Sequence, residues 1–167
     1  MSTKLYWIHG PWAGKLAVAA RPRGGDWLED EISSWRRSGV DTVLSLLDAE
    51  EELELNLKDE AKEAKLQGMK FFSLPIPDRQ VPSSEAKLTK TLEALDADLQ
   101  SGKNLAVHCR QGIGRSGLIA TCLLIRKGFS PQAAVEIVSA ARGVNVPETA
   151  EQRNWLDRYA LVSETTR

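Results

Sequence analysis

Residues 104–127 restrict the fold more than any other part of the chain. Two apolar runs, NLAVHC and GLIATCLLI, are joined by RQGIGRS. The first is short and bounded by turn signals, as a buried strand is. The second reads as an apolar helix over 115–127, closed by Gly128. A strand that passes through a glycine-rich turn into a helix is a building unit of α/β sheets, and the rest of the chain keeps that alternation. KLYWI (4–8) and KLAVA (15–19) are expected as short strands around the turn HGPWAG. VDTVLSLL (40–47) is expected as a buried strand, and MKFFSLPIP (69–77) as a strand stopped by its prolines. One helix is expected from Asp26, as N-cap, to near Gly39. Another is expected over 50–67, with Leu53, Leu57, Ala61 and Ala64 on one face. Further helices run from Ser83 or Ser84 to Gly102 and from Ser130-Pro131 to about Arg142. The last starts near Pro147 and turns Trp155, Leu156, Tyr159 and Val162 inward. The expected class is α/β: a single domain over residues 1–167, with a mainly parallel central sheet flanked by helices on both faces.

The 167 residues carry a formal net charge of −1, which gives no bulk attraction to nucleic acid or to an anionic membrane. The N-terminal stretch MSTKLYWIHGPWAGK has no long apolar run, and no apolar stretch reaches membrane-spanning length. A cytoplasmic protein without nucleic-acid or membrane partners is therefore expected. The two cysteines, Cys109 and Cys122, lack metal-site spacing with the two histidines, His9 and His108, so no metal or other cofactor is expected. In a reducing compartment a structural disulfide is not expected either. Cys122, inside GLIATCLLI, reads as a small buried apolar residue. Cys109 differs because of where it sits.

Ligands of α/β sheets bind beyond the carboxyl ends of the strands, which is where the loop after NLAVHC lies. Gly112 and Gly114 permit a tight loop that turns backbone N–H groups inward. The helix starting near Arg115 adds its positive end. Together they form a cradle for a tetrahedral oxyanion, with Arg110, Gln111, Gly112, Ile113, Gly114 and Arg115 lining it. The same groups stabilise a thiolate at Cys109, the nucleophilic form. Arg115 is a permanently charged planar fork matched to two phosphoryl oxygens. The hydroxyl of Ser116 is able to reach the sulfur. Cleavage of a phosphate ester also needs a proton for the leaving oxygen. SLPIPDRQVPSS offers one acid, Asp78, in a loop stiffened by prolines at the end of a strand. An aspartate in such a loop also serves ordinary turn chemistry; beside the cysteine loop the catalytic role is favoured.

HCRQGIGRSG resembles the signature loop of cysteine-dependent protein tyrosine and dual-specificity phosphatases, and PIPDRQVP resembles their general-acid loop. FSPQAAVEIVSAARG with VPETAEQRNWL is similar to the C-terminal helices of the small atypical dual-specificity type, in particular the cyclin-dependent-kinase-inhibitor phosphatase group and its bacterial relatives. The likeness covers about residues 15–162. It implies Cys109 as a nucleophile that becomes cysteinyl-phosphate, Arg115 as the phosphoryl-binding residue and Asp78 as acid, then base. It implies that Ser116 eases departure of the thiolate and that His108 tunes Cys109 from behind. It sets Gln152 where some relatives orient the hydrolytic water. The resemblance also implies an acidic residue after the VLSLL strand that holds the arginine; of the several acids in DAEEELE, Glu54 is the candidate chosen, with a solvated helix face the favoured account of it.

The partner implied is a phosphorylated protein or peptide, with phosphate or another oxyanion in the site. Phosphotyrosine is expected, and the short chain implies a shallow pocket that also admits phosphoserine and phosphothreonine. Phosphoinositides rank lower, because only Arg110 among Arg110, Gln111 and Ile113 is basic. Arg79 reads equally as a substrate contact or a solvating residue. Trp35 and Trp155 read as core, and Trp12 as core or pocket rim. The rival readings are a phosphoprotein-binding module that does no chemistry and a sulfur-transfer or arsenate-reducing loop. Cys109, Arg115 and Asp78 together argue against both. Cys122 as a redox partner of Cys109 is open on sequence.

Overall fold

Short β-branched and aliphatic runs supply five strands: β1 (Tyr6–Ile8), β2 (Leu16–Ala20), β3 (Thr42–Ser45), β4 (Lys70–Ser73) and β5 (Leu105–Cys109). The structure, a computed structural model, describes residues 2–165. The sheet order is β1-β2-β5-β3-β4. All neighbours are parallel except β1, which pairs antiparallel with β2 at the edge. β5 is central, and each of its residues is buried.

Seven α-helices cover the sheet among the described residues: α1 (Leu28–Arg37), α2 (Ala49–Glu54), α3 (Glu60–Leu66), α4 (Glu85–Gln100), α5 (Arg115–Ile125), α6 (Pro131–Arg142) and α7 (Ala150–Thr165). Side chains alternate across a strand, so β5 feeds two cores. Leu105, Val107 and Cys109 face the cluster built with Leu92, Leu95, Leu118, Leu123, Val138 and Leu156 of α4 to α7. Ala106 faces the smaller cluster with Ile32 and Trp35 of α1 and Ala64 of α3. Every residue of α5 is buried, as its uniformly apolar sequence requires. No helix among the described residues is long and apolar enough to cross a membrane.

Several expected boundaries move. The helix expected over 50–67 is two helices. Asn56 adopts a left-handed conformation with φ 56° after α2. The chain then turns so that Leu57 enters the second core while Leu53 stays 57% exposed. Asp26 lies in a 3₁₀ turn, Gly25–Trp27, and α1 begins at Leu28 without a side-chain cap. Ser84 and Ser130 do cap, accepting from Lys87 N–H and Ala133 N–H. The last helix begins at Ala150, and its Val162 is 54% exposed whereas Leu156 is fully buried. Trp12 is a core residue, its indole N–H donating to Asp96 Oδ1 at 3.1 Å.

Candidate active site

Cys109 ends β5 and is 3% exposed, at the carboxyl edge of the sheet. The chain then turns sharply and enters α5 at Arg115. Gly112 makes the turn possible in two ways. Its φ is +73°, and a Cβ there would lie 2.5 Å from the Ala19 carbonyl carbon and 2.6 Å from Ala20 N. The loop thus lies against the backbone of β2, and the Gly112 N–H donates to Cys109 Sγ at 3.3 Å. Ser116 Oγ, fully buried, lies 3.2 Å from the same sulfur. When the sulfur is a thiolate, the serine hydroxyl is the donor. A glycine also suits position 114, where a Cβ would meet the Glu148 and Gln152 side chains at 3.0–3.2 Å.

Arg115 is 1% exposed, and its guanidinium is held on several sides. Glu51 takes it as a bidentate pair, Nη1 to Oε1 at 2.6 Å and Nη2 to Oε2 at 2.8 Å. Nη1 also donates to the Ile76 carbonyl at 2.8 Å. Nη2 lies 3.2 Å from Asp78 Oδ1, which brings the acid loop to the cysteine loop as expected. Burial opposes the Arg115 charge. The Glu51 hydrogen bonds and the negative charges of Cys109, Glu51 and Asp78 outweigh it, so the guanidinium holds its proton more firmly than usual. Burial likewise opposes the Glu51 charge. The bonds from Arg115 and the Asp48 N–H, with the charges of Arg115 and Arg110, keep that carboxyl below its ordinary range.

Glu51 therefore replaces Glu54 as the acid that holds Arg115. Glu54, exposed on the same helix, pairs instead with Arg110 at 3.2 and 3.3 Å. The sequence carried a signal for this. Asp48 and Glu51 form a capping box at the start of α2, directly after β3. The Asp48 carboxylate accepts from Glu51 N–H at 2.9 Å, and the Glu51 carboxylate accepts from Asp48 N–H at 3.2 Å. The cap fixes Glu51 at the sheet edge and turns Glu54, almost one helical turn on, toward solvent.

His108 lies on the opposite face of β5 from Cys109. Its Nε2 is 2.6 Å from Glu60 Oε2, its ring packs near Trp35, and its Nδ1 is buried without a hydrogen-bond partner among the described residues. It sits behind the sheet rather than against the sulfur. Gln152 is buried and occupied. Its amide oxygen accepts from Glu148 and Thr149 N–H at 3.1 and 3.2 Å, and its NH₂ donates to the Gln80 carbonyl at 3.0 Å. Gln152 N–H donates to Thr149 Oγ1, completing a cap on α7. Arg79, with φ 65°, pairs with Glu148 at 3.0 Å, so the acid loop is tied to the start of α7 at two points. Gln111 is exposed and Ile113 half-buried on the loop. Cys122 is fully buried in α5, where burial pushes its thiol far up.

A family profile described as "Tc-R-P: Polymorphic toxin system, DSP-PTPase phosphatase" matches residues 17–129, which include β5, its loop and the acid loop. The chain is 36% identical over 87 residues to cyclin-dependent kinase inhibitor 3 of Sus scrofa. That match takes in 51% of this chain and 41% of the relative, so it spans less than half of that protein's length. A longer match, 28% identical over 159 residues, covers 92% of the chain and 56% of a putative tyrosine phosphatase (197R) of Invertebrate iridescent virus 6. Kinase associated phosphatase, solved with its catalytic-site cysteine replaced by serine, superposes with a TM-score of 0.90. The superposition covers 98% of this chain and 97% of that one, at 20% identity, and so shows the shared fold. With the profile spanning most of the chain and the cysteine, arginine and acid loops in place, the chain belongs to the DSP-PTPase phosphatase family.

Proposed function

We propose that the protein hydrolyses phosphomonoesters on proteins through a cysteinyl-phosphate intermediate. The observation that carries this is the convergence on one point of Cys109 Sγ, the Gly112 N–H, the Ser116 hydroxyl and the buried Arg115 fork, with Asp78 3.2 Å from that fork. The Cys109 thiolate attacks phosphorus. The bond from phosphorus to the leaving oxygen breaks as Asp78 gives that oxygen its proton. Inward N–H groups and Arg115 carry the charge spread over the equatorial oxygens. Water then attacks phosphorus, Asp78 takes the water proton, and the sulfur–phosphorus bond breaks with Ser116 donating to the departing thiolate. The first step needs Asp78 protonated while Cys109 is ionised, so kcat/KM is expected to be bell-shaped and to peak on the mildly acidic side.

Arg110, Gln111, Ile113 and Gly114 shape the phosphate cradle in this reading, and His108 supports β5 behind Cys109. Gln152 orients the hydrolytic water only by releasing the Gln80 carbonyl that it now holds. Phosphotyrosine is the favoured substrate, with phosphoserine and phosphothreonine also admitted. A phosphoinositide headgroup is less well served, because Arg110, the one basic side chain among the variable loop positions, is already paired with Glu54. The setting proposed is cytoplasmic, with no nucleic-acid or membrane partner and no metal.

The test is release of phosphate from p-nitrophenyl phosphate in the presence of EDTA by wild type, Cys109→Ser and Asp78→Asn. Turnover that survives EDTA, vanishes in the serine variant and falls sharply in the asparagine variant is expected. A folded wild type without turnover, or turnover that persists in the serine variant, would overturn the mechanism. Parallel phosphopeptide and phosphoinositide panels then assign the substrate class.

A further inference from the structure

Arg142 is the last residue of α6, and its side chain leaves its own helix for the cysteine loop. Its Nε donates to the Gly112 carbonyl at 2.9 Å and its Nη2 to the Gln111 carbonyl at 3.2 Å. The other face of the guanidinium lies 4.1 Å from the centroid of the Tyr6 ring on β1. Among the described residues it forms no ion pair with a carboxylate. A charged, half-buried arginine is thus devoted to two loop carbonyls and one aromatic face.

The planarity of the peptide gives those two bonds a consequence. In a trans peptide the C=O and the next N–H point in opposite directions. Holding the Gln111 carbonyl outward therefore aims the Gly112 N–H inward, and that N–H meets Cys109 Sγ at 3.3 Å. Holding the Gly112 carbonyl in the same way fixes the Ile113 N–H. Gly112, at φ +73°, has the widest conformational freedom in the loop, so these two peptides are the ones most able to turn over. A positive charge on the outer carbonyls also polarises the same peptides and strengthens their N–H groups as donors.

We propose that Arg142, backed by Tyr6, is a positioning residue for the oxyanion cradle: it locks the 111–112 and 112–113 peptides with their N–H groups toward the sulfur and toward bound phosphoryl oxygens. In its effect on turnover this rests on the phosphatase reading above. The locking itself does not, and it is measured without turnover. The variants are Arg142→Met, which keeps the stem, Arg142→Lys, which keeps the charge but not the two-carbonyl fork, and Tyr6→Leu, which removes the ring alone. None of them touches the other charged groups near Cys109: Arg115 with Glu51 and Asp78, Arg110 with Glu54, and His108 with Glu60 on the far face of the strand.

Two readouts are taken on full-length protein: iodoacetamide alkylation of Cys109 across pH, located by mass spectrometry, and protection from alkylation by tungstate. Arg142→Met is expected to slow alkylation several-fold near about pH 6 while leaving the limiting rate at high pH unchanged, and to weaken tungstate protection about tenfold. Arg142→Lys restores part of both, and Tyr6→Leu moves both in the same direction by less. An Arg142→Met protein that unfolds at the wild-type temperature, with unchanged alkylation and unchanged tungstate protection, would overturn the proposal. If Arg142→Met does not fold, unchanged readouts in a folded Tyr6→Leu and Arg142→Lys pair would do the same. A wild type that alkylates and binds tungstate in this Arg142-dependent way but releases no phosphate would sink the phosphatase reading and leave the positioning role standing.

Discussion

Replacing Glu51 by glutamine tests whether the buried Glu51–Arg115 pair organises the site. Arg115 is 1% exposed and the Glu51 side chain 7% exposed, so water cannot replace the lost charge. Breaking a buried pair by removing one partner costs about 3–5 kcal/mol. Glutamine keeps the shape and one acceptor, worth about 1 kcal/mol, which sets the expectation near 3 kcal/mol. For a chain of this size that lowers Tm by roughly 6–12 °C. The pH dependence gives the sharper test. Glu51 is held below its ordinary value of 4.5 in the folded state. Its stabilising effect is therefore fully present above about pH 4.5 and is lost as pH falls through the lower folded value. The gap in stability between wild type and Glu51→Gln should be widest near neutral pH and close below about pH 4.5. The assay is urea unfolding of both proteins from pH 3 to 8. A gap that is absent at pH 7, or one that keeps its full size at pH 3, would refute the account of Glu51 as the charged partner of Arg115.

Asp48→Ala removes the capping box that sets Glu51 and should cost about 1 kcal/mol of stability by chemical unfolding, less than Glu51→Gln. Gly112→Ala forces a side chain into backbone at 2.5 Å and into a left-handed conformation. It should lower Tm and slow Cys109 alkylation, and an unchanged alkylation rate would contradict the loop geometry. Gln152→Ala removes the side-chain acceptor for the Glu148 and Thr149 N–H groups, leaving the Thr149 hydroxyl cap of α7 in place, and leaves the Gln80 carbonyl unpaired, at about 1–3 kcal/mol. If Gln152 also orients the hydrolytic water, rapid-quench analysis of this variant will show phosphoenzyme accumulating; a loss of stability without accumulation assigns it to the loop tether alone.

The local signals in this chain were strong where a residue answers to its immediate neighbours. The glycine turn between an apolar strand and an apolar helix placed Cys109, Arg115 and Ser116 in one loop, because backbone geometry over a few residues decides that. Ser84, and Ser130 followed by Pro131, announced their helices for the same reason. The order of short strands and amphipathic helices was enough for an α/β sheet with both faces covered, since the two hydrophobic periods differ. What needed the tertiary structure was the choice among equivalent local candidates. DAEEELE offers several acids of the same type, and only the placement of the capped start of α2 beside the cysteine loop aims Glu51 at Arg115 and leaves Glu54 to Arg110. Asp78 and Gln152 are far from Cys109 in sequence, and the parallel sheet order brought the acid loop to the cysteine loop while the cap of α7 claimed the glutamine. Arg142 read as an ordinary helix terminus, because its partners are backbone carbonyls and no side-chain pattern records them. Sequence by itself marked out the candidate reactive groups, since reactivity belongs to residue type and local backbone. Only the fold decided which charges hold those groups in place, because that depends on distances between segments that the chain order does not contain.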